Sequence, residues 1–186
     1  KVYTTPVDEE VIKAMLPFFS AKFGNASSLH RFGLESREAL ESSRETISKK
    51  INSNADEVVF TSGGSESNNL ALRGAAHALR HKGNHIITSK IEHPSVLDTC
   101  EALEEEGLEV DYLDAGGEGF VDLEQLENLI SEKTILVSVI HGNNEIGTIQ
   151  DLRRIGEVCE KRNVVFHTDV VQSFLKAPID VKKLKI

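Results

Sequence analysis

The chain has 186 residues, 39% hydrophobic and 27% charged, which suits one folded domain with a core of ordinary size. Its net charge of −9 argues against a general nucleic-acid or anionic-membrane binder. No apolar run approaches the roughly 20 residues that span a bilayer. The first residues lack the apolar stretch of a secretory signal, and two cysteines without a CxxC pattern suit a reducing cytoplasm.

Asp8-Glu9-Glu10 opens a helix whose apolar stripe is Val11, Met15, Phe18 and Phe19. After the polar loop Gly24 to His30, a second helix is expected from about Leu34 to Ile51. From there strand and helix alternate. Strands are expected at 57–61, 85–88, 110–113, 134–140 and 164–166. Helices are expected at 66–79, at Pro94 to about Glu106 with Gly107 ending it, at Asp122 to Ile130, and at 151–162. This alternation predicts an α/β fold, a mostly parallel sheet with helices on its faces. Cys100 and Cys159 both fall in helical patterns and read as small buried hydrophobes. His77 and His81 lie one helical turn apart with no acid ligand expected nearby, and read as solvated surface. No metal site is expected.

If the strands are parallel, the loops at 62–65, 89–93, 141–147 and 169–172 meet at one edge of the sheet. Ser62-Gly63-Gly64-Ser65 before a helix is either a phosphate cradle or a glycine-rich turn with a serine cap. It is neither a P-loop nor a dinucleotide fingerprint. His93, just before Pro94, reads as a base, a stacking ring or a cap. Asn143-Asn144-Glu145 directly follows a buried strand and needs hydrogen-bond partners, either a ligand or its own turn. Asp169, at the end of an apolar strand, is either a helix cap or a buried carboxylate that needs a cation. Taken together, a phosphate cradle, an imidazole, an amide and a buried aspartate suit a flat, phosphorylated ligand with a basic ring nitrogen. Pyridoxal 5′-phosphate fits that description.

Several segments occur in a characteristic order. They are Thr4-Thr5-Pro6-Val7-Asp8, Phe23 to His30, Thr61-Ser62-Gly63-Gly64-Ser65-Glu66-Ser67-Asn68-Asn69, Ile91-Glu92-His93, Asn143 to Gln150, His167-Thr168-Asp169-Val170-Val171-Gln172, and Pro178-Ile179-Asp180-Val181. On these residues the chain resembles the pyridoxal-phosphate-dependent cysteine desulfurases, the NifS/IscS-like branch of the class V aminotransferase group. The resemblance implies fold type I of the pyridoxal-phosphate transferases, with residues 1–20 as an N-terminal interface segment and 21–186 as part of the cofactor-binding large domain. It implies that Gly64 and Ser65 hold the phosphate, Ser65 standing where the family usually has threonine. It further implies that His93 stacks on the ring and moves protons, that Asn143 and Gln172 bond near the phenolic oxygen, and that Asp169 pairs with the ring nitrogen. The implied reaction takes sulfur from L-cysteine and leaves L-alanine and an enzyme persulfide. The sulfur then passes to an iron–sulfur scaffold or another acceptor, and the enzyme is a homodimer in the cytoplasm. The alternatives are selenocysteine lyase, another class V aminotransferase, or a homologue that only folds, dimerises and binds.

Three departures accompany the resemblance. The family's Schiff-base lysine context matches none of Lys176, Lys182, Lys183 or Lys185. The loop of its persulfide cysteine matches neither Cys100 nor Cys159. Lys1-Val2-Tyr3 stands where the family carries a further short turn. The chain is therefore expected to be the N-terminal part of a desulfurase, lacking the lysine segment and the small domain, and inactive by itself.

Overall fold

A computed structural model describes residues 6–186. The Lys1–Tyr3 departure and Thr4-Thr5 of the first motif lie outside the described residues. Along the sequence the chain divides into two compact units between Val59 and Phe60.

In the first unit, α1 (Glu9–Met15) is capped by Asp8, whose side chain accepts from Glu10 N. The single helix expected across this stretch is broken, and α2 (Pro17–Ser20) follows. Pro17 has no N–H to continue the ladder of α1. Val11, Met15, Phe18 and Phe19 are all exposed. The third helix, α3 (Arg31–Ile51), starts three residues before its expected position because His30 supplies the cap: its Nδ1 accepts from Gly33 N. Asn52, in the left-handed region at φ 58°, ends it. The strand expected at 57–61 does not form. Ala55–Glu57 is a 3-10 turn, and Val58 to Thr61 enter no strand of the sheet. Val59 is 66% exposed, so the apolar run that suggested a buried strand has no sheet face to cover here.

The second unit opens with α4 (Gly64–Leu79), then β1 (His85–Ser89), α5 (Pro94–Glu105), β2 (Glu109–Leu113), α6 (Leu123–Leu129), β3 (Thr134–Ser138), α7 (Leu152–Arg162), β4 (Val165–His167) and α8 (Val181–Leu184). The caps match the chemistry of the sequence. Pro94 occupies the first turn of α5, Asp122 accepts from Glu124 N and Gln125 N, and Asp151 accepts from Arg154 N. Gly107, at φ +90°, follows α5 where a side chain would strain the backbone.

The four strands lie in the order β2-β1-β3-β4 and every pair is parallel. Alternation along each strand sends neighbouring side chains to opposite faces. Ile86 and Leu136 join Leu72, Ala76, Val96, Cys100 and Leu103 beneath α4 and α5. Ile87 and Val137 join Leu126, Leu152, Ile155, Cys159 and Phe166 beneath α6 and α7. Both faces are therefore buried, as parallel sheets require. Strand order reverses between β1 and β3, and in such sheets the loops beyond the strand ends at that point form the binding crevice.

Candidate active site

Hydrogen bonds lock the loops at the carboxyl ends of β1, β3 and β4 together. Val139 N donates to His167 O at 3.1 Å and His141 N to Asp169 O at 2.9 Å, so the β3–β4 pairing continues beyond the strands. Glu92 braces the other side. Its Oε1 accepts from Ser89 Oγ at 2.5 Å and from Ile140 N at 2.8 Å. Asn143 Nδ2 donates to Ile91 O at 2.8 Å, tying the loop after β3 to the loop after β1.

Asp169 is buried, and both of its carboxylate oxygens are held. Oδ1 accepts from Val171 N and Oδ2 from Asn68 Nδ2, each at 2.9 Å. It lines an open cleft of about 410 Å³ with Gly64, His167, Thr168 and Val171. Ser65 and His93 line a neighbouring hollow of about 340 Å³ with Asn69 and Ser95. Gly64 and Asp169 thus line one opening and Ser65 and His93 the other, while Asn143 and Gln172 line neither.

His93 caps α5. Its Nδ1 accepts from Ser95 N at 3.1 Å and lies 2.8 Å from Ser95 Oγ. Asn143 holds its own turn as well, its Oδ1 accepting from Glu145 N and Ile146 N at 2.8 and 3.0 Å. Its partners are all backbone groups, and one Nδ2 hydrogen remains to offer a ligand. Gln172 is exposed beside the cleft. Glu66 closes the 62–65 turn from within α4, its Oε2 accepting from Ser62 N at 2.7 Å. That bond holds the Glu66 carboxyl below the usual carboxylate range, with the Ser62 hydroxyl the larger cause.

Titration at the site is set by burial. Burial pushes the Glu92 carboxyl up to about 7, against the two hydrogen bonds to its Oε1 and with some help from the charge of Asp169. Its Oε2 is buried without a hydrogen-bond partner, which favours the neutral acid. Burial lowers His167 to about 4, opposed by Asp169, and the ring accepts or donates at Nδ1 with Ser138 Oγ at 2.8 Å. His141, bonded to Ser173 Oγ at 2.8 Å, is also lowered by burial. Thr168 Oγ1, in the cleft wall, is a second buried atom without a hydrogen-bond partner. The sequence reading missed Glu92, Asn68 and Ser95 as individual residues. Asn68 carried one usable signal: an amide four residues into a helix whose neighbours at that spacing are apolar.

Both cysteines are fully buried, with thiols that burial pushes up to about 12. The expectation that no acid lies near His77 is corrected: Glu106 Oε2 sits 3.1 Å from His77 Nε2, and Arg73 binds the same carboxylate. No helix among the described residues is long and apolar enough to cross a membrane.

The sequence pattern of the class-V aminotransferases matches residues 3–186. The chain belongs to that family. Among class-V relatives, the cysteine desulfurase IscS of Dictyoglomus turgidum is 49% identical over 183 residues, and that of Pasteurella multocida 50% over 186. Each alignment covers 98% of this chain and 46% of the relative, so the chain spans about half the length of these proteins. Among solved structures, SspA in complex with cysteine gives a TM-score of 0.94 at 41% identity, covering 98% of this chain and 52% of that one. A NifS-like protein gives 0.94 at 37% identity, covering 98% and 51%. The parallel α/β architecture expected from the alternation of elements is the one found.

Proposed function

We propose that the protein carrying this chain is a pyridoxal-phosphate-dependent cysteine desulfurase. What supports the reading is the buried Asp169 carboxylate at the end of β4, beside the amino end of α4, in a chain about half identical to IscS desulfurases over nearly its whole length. The donor set fits the cofactor. The first N–H groups of α4 and the Ser65 hydroxyl suit a phosphate. No heavy atom stands within 4 Å of where a Gly63 side chain would begin, so this approach to the helix end is open. The cofactor, when bound, supplies an electron sink for bonds at the substrate's α carbon.

The chain's own residues then divide the work. Gly64, Ser65 and the α4 amino end hold the phosphate. Asp169 keeps a proton on the ring nitrogen. His93 would stack on the ring and move a proton through Nε2, the nitrogen not engaged in capping. Asn143, through its remaining Nδ2 hydrogen, and Gln172 bond near the phenolic oxygen. Sulfur leaves L-cysteine for an enzyme thiol, giving L-alanine and a persulfide, and the bookkeeping of atoms needs no further reactant. Cys100 and Cys159 are not that thiol, because both are buried and held far from the thiolate form. The substrate is L-cysteine and the sulfur acceptor an iron–sulfur scaffold or a thiolation partner. The active assembly is a homodimer. Two free cysteines suit the cytoplasm.

The test is alanine formation from L-cysteine by the intact protein, with pyridoxal phosphate retention read by its visible absorbance. Asp169→Ala is expected to abolish turnover while leaving the fold intact. Near-full activity in that variant, or no alanine from a protein that retains the cofactor, would remove the basis of the assignment.

A further inference from the structure

An unbroken chain of hydrogen bonds joins the two openings. Asn68, 4% exposed in the second turn of α4, has two Nδ2 hydrogens. One reaches Asp169 Oδ2 and the other Ser95 Oγ, both at 2.9 Å. Ser95 Oγ lies 2.8 Å from His93 Nδ1, and Ser95 N donates to the same nitrogen at 3.1 Å.

The polarity of every link follows from counting donors. A carboxylate only accepts, so Asn68 must turn its NH₂ to Asp169. The second hydrogen of that NH₂ then occupies Ser95 Oγ as an acceptor. A backbone N–H only donates, so His93 Nδ1 carries the lone pair. The Ser95 hydroxyl hydrogen, free to rotate, therefore points at Nδ1 as well. In the neutral ring the proton sits on Nε2.

We propose that Asn68 is a positioning residue that carries the acceptor character of Asp169 to His93, turning the Ser95 hydroxyl toward Nδ1 and so reinforcing the Nε2–H tautomer that the Ser95 N–H already favours. The group that holds the ring-nitrogen proton and the group that moves protons above the ring are thus parts of one device. In its catalytic meaning this rests on the cofactor reading above; the hydrogen-bond chain itself does not. The Ser95 N–H makes Nδ1 an acceptor by itself, and the carboxylate sets the direction of the side-chain links that add the Ser95 hydroxyl as a second donor. Replace the carboxylate by an amide, and Asn68 is free to turn over and offer Oδ1. The Ser95 hydroxyl then has a second acceptor, and His93 Nδ1 loses a donor.

The experiment is long-range proton–nitrogen correlation of the His93 ring in the ¹⁵N-labelled protein, at a pH where the ring is neutral. The wild-type ring is expected to be Nε2–H. Asp169→Asn should raise the Nδ1–H share roughly fivefold, the effect of one lost net hydrogen bond. Ser95→Ala, at a half-buried position that tolerates alanine, should do the same. In the Ser95→Ala background, Asp169→Asn should add nothing, because the link is already cut. A merely structural Asn68 would not give that dependence. A wild-type ring protonated at Nδ1, an unchanged ratio in Asp169→Asn, or a full added effect in the Ser95→Ala background would each overturn the relay. Pyridoxal phosphate titrated into the same samples separates the two claims. No cofactor binding by the wild type, with the tautomer response intact, overturns the functional reading alone.

Discussion

Asn68 Nδ2 donates to Asp169 Oδ2 at 2.9 Å, a bond between residues 101 positions apart in the chain. It ties the first turns of α4 to the loop after β4, and among the described residues it is one of two donors to a buried carboxylate. A hydrogen bond to a charged group contributes about 1.5–3 kcal/mol, and losing it leaves the acceptor underserved. Asn68→Ala is therefore expected to cost about 2–3 kcal/mol. Asn69→Ala, one position on, removes only a bond to Ser65 O within the same helix and should stay within about 0.5 kcal/mol. Urea unfolding of the two variants at neutral pH gives the comparison. Equal losses would remove the special role of the Asn68–Asp169 bond.

The contrast between those neighbours also marks how far the sequence could be read. Alternating apolar periods and capping residues such as Asp122, Asp151 and Pro94 are local, and they located β1 to β4 and α4 to α7 to within a few residues. Asp169 is visible because a carboxylate three residues after the apolar run Val164-Val165-Phe166 is a local anomaly. The strand at 57–61 was misread because β propensity reports a residue's fit to a sheet face without showing whether a neighbouring strand exists. Val59 and Phe60 are apolar and β-prone yet exposed. Asn68 was legible as part of a motif, but its two partners lie 27 and 101 residues away, a distance that spacing cannot register. The same holds for Glu92, whose partner Ile140 N is 48 residues on.

Glu92 and His167 set opposing pH dependences. Glu92 moves from an ordinary 4.5 to about 7, so between those values the folded state keeps a proton that the unfolded state has lost. Its contribution is fully present below 4.5 and is lost as pH rises through 7. His167 moves from an ordinary 6.5 to about 4, so between those values the unfolded state holds the extra proton, and stability is lost as pH falls from 6.5 to 4. Each displacement corresponds to a change on the order of 3 kcal/mol. From about 4.5 to 6.5 the Glu92 and His167 slopes oppose one another. Glu92→Gln retains an acceptor for Ser89 and Ile140 and removes the falling slope. It should leave stability unchanged at pH 4 and raise it by on the order of 3 kcal/mol at pH 8. His167→Asn should expose the falling slope by itself. Denaturation midpoints at pH 4, 6 and 8 decide it, and parallel curves for wild type and Glu92→Gln would show that Glu92 does not titrate in this window.

Cys100 and Cys159 should be nearly inert in the folded protein. With thiols pushed up to about 12, the thiolate fraction at pH 8 is lower than that of a free cysteine by roughly a thousandfold or more, and full burial adds a barrier of access. Alkylation by iodoacetamide should follow unfolding and should speed up sharply in denaturant. A fast-reacting thiol at either position under native conditions would reopen it as a sulfur carrier.

Two glycines at helical positions should differ in their response to alanine, one tolerating it and the other not. Alanine is favoured over glycine by about 1 kcal/mol inside a helix. At Gly64, the first residue of α4, an added Cβ would meet Val171 Cγ2 at 2.9 Å. Val171 is 61% exposed and its side chain can rotate away, so Gly64→Ala should stay within about 0.5 kcal/mol of wild type. At Gly156, buried in α7, the added Cβ would fall on the carbonyl oxygen of Leu184 at the end of α8. That atom is backbone and cannot turn aside, so α8 must move. Overpacking of this kind costs about 1–3 kcal/mol, more than the gain in helix propensity. Gly156→Ala should therefore be destabilised despite sitting in a helix interior, and amides of residues 181–186 should exchange faster with solvent. If Gly156→Ala were instead the more stable of the two, helix propensity would outweigh the α7–α8 contact, and the close approach of Leu184 to α7 would be wrong.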